Sequence, residues 1–138
     1  MRCLSICQPW AWAIIHGPKR VENRTWSTTY RGPLLIHAGK SRLNYDHQDP
    51  EDWRNWYGLE MPAANRLTWG AIIGQVELVA CVQLADPELL PDQRAWLEAH
   101  PFTEGPRCWV LKRPQAFPAP IPYRGQQGLF HVPASVQP

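Results

Sequence analysis

Fifteen prolines are scattered through these 138 residues, and they limit the fold more than any other feature. Proline fixes its own φ and lacks an amide hydrogen, so it interrupts helix interiors and central strands. Long helices are therefore not expected. Short strands joined by rigid turns and brief helices remain. The length suits a single domain over residues 1–138, large enough to bury a core without metals or disulfides. Hydrophobic residues at 44% and charged residues at 19% describe a globular chain rather than a disordered one.

The pattern along the chain fills in that outline. Residues 2–6 predict a strand. Gln8-Pro9 opens a short helix with apolar Trp10, Ala11, Ala13, Ile14 and Ile15, and Gly17-Pro18 ends it. Residues 19–26 predict a second strand. Strict alternation there puts Lys19, Val21, Asn23 and Thr25 on one face, and Arg20, Glu22, Arg24 and Trp26 on the other. Residues 33–38 form an apolar third strand. Residues 41–68 are acidic and aromatic, and they predict an insertion with one or two helical turns around Pro50–Tyr57. Residues 70–84 are the longest strand candidate, with a bulge at Gly74. Pro91 to Ala99 predicts a helix, 107–117 a strand, Pro118, Pro120 and Pro122 a stiff edge, and Gly128 to Val132 a last short strand. Mainly β with short helices (α+β) is thus the expected class. A small, partly open β-barrel is the economical form, since closure removes exposed edges.

No apolar run reaches the roughly 18–20 residues that span a bilayer. The first residues lack an apolar core and a cleavage site, so they make a poor signal peptide. A cytoplasmic location is the expectation. Cys3, Cys7, Cys81 and Cys108 form no Cys-x-x-Cys pair, so reduced and mostly buried thiols are expected, with no metal and no cofactor.

The net charge of +2 conceals an uneven distribution. Residues 1–42 hold seven Lys/Arg and one acid, residues 43–104 three Lys/Arg and eleven acids, and residues 105–138 four Lys/Arg and no acid. If the two ends meet in space, one face is positive and a polyanion is its natural partner. A mixed, solvated surface is the alternative.

Three segments resemble the ASCH family. The first is Leu4-Ser5-Ile6-Cys7-Gln8-Pro9-Trp10-Ala11 with Gly17-Pro18-Lys19-Arg20-Val21-Glu22-Asn23-Arg24, similar to the family signature G-x-K-x-x-E-x-R. The second is Tyr30-Arg31-Gly32-Pro33 through Gly39-Lys40, and the third is Gly105 to Leu111, then Pro120-Ile121-Pro122 and Gly125 to Phe130. The resemblance implies a PUA-like β-barrel with a basic cleft beside the first helix. Members are implicated in RNA or DNA binding. Distant members resemble amidohydrolases of N4-acylated cytidine, and a ribonuclease activity has been attributed to others. The amidohydrolase-like relatives use a Lys with Thr and Glu partners. Glu22 stands here at the Thr position.

The residue chemistry permits both kinds of function. Lys19 and Glu22 have the ingredients of a metal-independent hydrolytic site, or they form an ion pair that lines the cleft. They can share a site only if the turn at Gly17-Pro18 redirects Lys19. Arg24, Arg31 and Lys40 suit phosphates or base edges. Trp10 and Trp26 are candidates to stack on an unpaired base. Gln8 either caps the first helix or reads a base edge. The expected ligand site thus comprises Gln8, Trp10, Lys19, Glu22, Arg24, Trp26, Arg31 and Lys40. Single-stranded RNA or a nucleoside is the expected partner, with DNA as a variant and no membrane. An adaptor whose acidic middle binds a protein is a third reading.

Overall fold

A computed structural model describes residues 1–136. Its strands are β1 (Arg2–Ile6), β2 (Val21–Arg24), β3 (Gly32–Ala38), β4 (Ala71–Gln83), β5 (Arg107–Pro122) and β6 (Leu129–His131). Its helices are α1 (Trp10–Ile15), α2 (Leu43–Asp46), α3 (Pro50–Tyr57) and α4 (Pro91–Ala99). The strands make one half-barrel sheet in the order β2-β5-β4-β3-β1-β6, and only β1 and β3 run parallel. This is the partly open, PUA-like α+β architecture that the sequence predicts.

Alternation sorts the apolar side chains onto two faces. Leu4, Leu34, Ile36, Val76, Leu78, Trp109 and Leu111 pack under α1, against Ala11, Ile14 and Ile15. Cys3, Leu35, Ile72 and Phe130 form a cluster from the alternate positions. A third cluster joins Val21, Cys108 and Val110 to Leu97 of α4. Burying each large aliphatic side chain stabilises the fold by roughly 1.5–3 kcal/mol.

Three differences from the sequence expectation have physical causes. β5, not β4, is the longest strand, at 16 residues against 13. It pairs with β2 only over Arg107–Val110, so beyond that point one edge is free and its prolines withhold no ladder bond. The second strand is shorter than expected at its start, because Lys19 N–H turns back to the Ala13 carbonyl at 3.0 Å, and only at Arg20, whose carbonyl accepts from Leu111 N–H of β5 at 2.9 Å, does the chain meet its partner strand. Helix α2 has no counterpart in the sequence expectation, since its four residues bury no side chain and so carry no apolar pattern.

The register of both β4 ladders shifts beside Gly74, as expected of a bulge. All four cysteines are free, and Cys3 and Cys108 are buried. Among the described residues, no helix is long and apolar enough to cross a membrane, and no three His, Cys, Asp or Glu cluster as a metal site.

Candidate functional site

The site begins at the end of α1. A Cβ on Gly17 would stand 2.9 Å from the Ala13 carbonyl oxygen, so only glycine lets the chain fold back this tightly. Arg20 closes the turn by donating from Nη1 to the Ile14 and Gly17 carbonyls at 3.1 and 3.0 Å. Lys19 is thereby carried to the same side as Glu22, which a regular strand would not allow.

Lys19 is 3% exposed and Glu22 8%. The Lys19 ammonium meets Glu22 Oε1 at 3.0 Å, donates to the Val21 carbonyl, and lies 5.5 Å from the centre of the Phe102 ring. Glu22 Oε2 accepts from Arg24 Nε at 2.9 Å and Nη2 at 2.8 Å. Arg24 Nη2 also donates to the Ser5 carbonyl at 3.0 Å. One buried carboxylate is thus gripped by two cations, and Arg24 keeps 25% of its side-chain surface exposed.

This trio forms one side of a pocket of about 270 Å³. Rings of Trp10, Tyr57 and Phe102 form another, and Phe102 and Tyr57 stack with centroids 4.1 Å apart. Trp53 anchors the cluster 4.8 Å from Trp10. Asn23 fixes the far rim: its Nδ2 donates to the Phe102 carbonyl at 2.8 Å, and its Oδ1 accepts from the amides of Glu104 and Gly105. Lys19 and Arg24 face Glu22 and Glu104, so the pocket is charge-balanced. Burial, helped by the Glu104 charge, raises the Tyr57 pKa above its ordinary value.

A second cavity, of about 910 Å³, shares Cys7 with the first. Its floor holds Ser5 and His37, and Lys40 and Arg124 stand at its rim. His37 Nε2 is 2.7 Å from the Tyr123 carbonyl, which can only accept, so Nε2 carries the proton. Nδ1 then accepts from the Ser5 hydroxyl at 2.9 Å. Burial lowers the His37 pKa, and the bond to Tyr123 opposes that shift.

The profile of the ASCH domain matches residues 4–121, which include every residue that lines the first pocket. The chain belongs to the ASCH domain family. This ASCH domain is 28% identical to human activating signal cointegrator 1 over 139 aligned residues, covering 97% of this chain and 22% of that protein. The mouse protein of the same name gives the same figures. The chain thus spans about a fifth of these curated relatives. The crystal structure of an ASCH protein from Zymomonas mobilis superposes with a TM-score of 0.54 at 16% identity, over 97% of this chain and 88% of that one. A tyrosine-to-phenylalanine variant of that protein superposes with a TM-score of 0.53 over 96% and 90%. At that identity the likeness shows the fold.

Within this ASCH domain, Trp10, Lys19, Glu22 and Arg24 of the sequence-predicted site come together around the first pocket. Lys40 lies at the neighbouring cavity. Gln8, Trp26 and Arg31 stand outside both. Gln8 is buried. Its Oε1 accepts from Trp12 N–H and its Nε2 donates to the Thr68 carbonyl, both at 2.9 Å, so it holds α1 in place. Trp26 packs edge-on against Trp109 at 4.8 Å. Arg31 is exposed and bonds the Thr28 and Tyr30 carbonyls of its own turn. Sequence reasoning did not place Asn23, Asn44, Tyr57, Phe102 or Glu104 at the pocket, although all line it. No local pattern marks them.

Proposed function

We propose that this ASCH domain binds single-stranded RNA by taking one nucleobase into the pocket beside Lys19, Glu22 and Arg24. The observation that carries this reading is the pairing of aromatic walls with convergent polar groups in one base-sized, charge-balanced hollow. Unpaired bases are recognised by stacking on rings while their edges meet fixed donors and acceptors. The ASCH family's association with RNA binding supports the same reading. Arg24→Ala should weaken RNA binding about tenfold or more, because hydrogen bonds to charged groups are worth roughly 1.5–3 kcal/mol. Titration of a short fluorescent RNA, with DNA of the same sequence as comparison, tests this. Equal affinity of wild type and variant would refute it.

A hydrolase acting on N4-acylated cytidine or on RNA is a second reading, favoured by one specific contact: the buried Lys19 ammonium, 3.0 Å from Glu22. A lysine base or nucleophile must first release its proton. Here the ammonium is committed to Glu22 and to the Val21 carbonyl, and Glu22 is also committed to Arg24. That saturation favours the binding reading. Turnover of N4-acetylcytidine by the wild type, lost in a folded Lys19→Ala variant, would establish the enzyme.

A further inference from the structure

We infer that the larger cavity beside the nucleobase pocket is the track for the sugar–phosphate backbone of the same strand, with Lys40 and Arg124 as its phosphate contacts. This rests on the RNA-binding reading above and adds where the rest of the strand runs.

Both cavities are lined by Cys7, so a strand whose base enters the first has the second directly alongside it. Their electrostatics differ in the way a divided task requires. The nucleobase pocket balances two cations with two carboxylates. The larger cavity is lined by Lys40 and Arg124 and by no acidic residue. Ser41, Gln126 and Gln127 line it too and offer uncharged donors and acceptors, which suit sugar hydroxyls and phosphate oxygens.

Both cations are carried on anchored main chain. Lys40 follows Gly39, whose N–H donates to the Ile6 carbonyl at 2.9 Å at the point where β1 leads into the first pocket. Arg124 follows Tyr123, which is held three ways. Its N–H donates to the Gly70 carbonyl at 3.2 Å, its carbonyl accepts from His37 at 2.7 Å, and its ring lies nearly parallel to Phe130. Gly125 presses the loop onto the floor: a Cβ there would stand 2.8 Å from His37 Cε1 and 3.0 Å from Ser5 Oγ. A cation on a fixed support loses less freedom on binding than one on a loose loop. Gly125 is thus a positioning residue for Arg124.

The test compares three probes by anisotropy or calorimetry: a nucleoside, a tetranucleotide RNA and a glutamate-rich peptide. Lys40→Ala and Arg124→Ala should each flatten the log–log salt dependence of tetranucleotide binding by about 0.7, and the double variant by about 1.4, while nucleoside affinity stays the same. Gly125→Ala should weaken the tetranucleotide although it removes no charge. Both cations are exposed, so unchanged melting temperatures are expected and confirm that the variants fold. If wild type binds the nucleoside but gains nothing from the longer strand, the track is overturned and the pocket reading stands. An unchanged salt slope in both single variants overturns it too. So does a peptide that binds more tightly than the RNA and needs Arg124. If no nucleoside and no RNA binds, both readings fall.

Discussion

Cys7 stands where the two cavities meet and is half-buried, whereas Cys3 and Cys108 are sealed within the sheet. Burial pushes the Cys3 thiol up to about 12. Alkylation should therefore modify Cys7 and the half-buried Cys81 well before the other two. Saturating RNA should protect Cys7 and leave Cys81 reactive, as peptide mass spectrometry would show. Equal labelling of Cys7 with and without RNA would count against occupancy of either cavity. The histidines make a second residue-scale prediction. Burial lowers the pKa of both His37 and His100 below the ordinary 6.5. Above that value, folded and unfolded chains are both neutral there and the full stability is present. As pH falls below it, the unfolded chain takes up protons first, so stability drops until the lowered folded value is passed. The melting temperature should decline as pH falls below the ordinary histidine value, and His37→Gln should remove part of that decline.

At the scale of elements, α3 matters most, because it brings Tyr57 to the pocket and buries Trp53 behind it. Trp53→Ala should cost about 3–5 kcal/mol and should also weaken RNA binding beyond the loss of folded protein, since Tyr57 then loses its support. Urea unfolding and titration of the same sample would separate the two effects. This helix was legible in the sequence for definite reasons. Asp49 caps it by accepting from Glu51 N–H at 2.9 Å, Pro50 starts it, and Gly58 ends it with φ of 65°. The start of α4 was legible in the same way, from Pro91 in its first turn, whereas the glycine of the bulge at Gly74 is required by distant groups, since a Cβ there would stand 2.5 Å from the Gln115 carbonyl oxygen and 2.8 Å from Ile15. The pocket's far walls were not legible. Phe102 and Glu104 reach Lys19 and Asn23 because β2 pairs with β5, and a sequence does not display which strands pair. Trp26 shows the converse. Its closeness to the basic motif suggests a ligand contact, but its ring is taken up by Trp109 across the sheet.

Across the whole molecule, the uneven charge of the sequence acquires a spatial meaning. β1 pairs with β6, and Lys40 from the basic first third shares one cavity with Arg124 from the basic last third. The acidic middle supplies α3, whose Tyr57 lines the neighbouring pocket beside Glu104, and α4, whose Leu97 packs against Val21, Cys108 and Val110. Binding should depend on this local cation cluster and not on the bulk charge, which is only +2. A log–log plot of RNA affinity against salt should be linear, with a slope of about −0.7 for each phosphate neutralised. A flat plot would exclude a polyanion.

The short pairing of β2 with β5, over Val21–Arg24 and Arg107–Val110, also carries a kinetic consequence. It closes a long loop of chain, and such contacts form late because their entropy must be lost before they are rewarded. The pocket draws Lys19, Glu22 and Arg24 from before that closure and Tyr57, Phe102 and Glu104 from within the loop it closes, so a chain still on its way to the folded state has no site to offer. A ligand that recognises only the finished pocket should slow unfolding and leave the folding rate untouched. In a denaturant series, RNA should lower the unfolding limb alone, and the time a molecule stays folded should lengthen with ligand concentration.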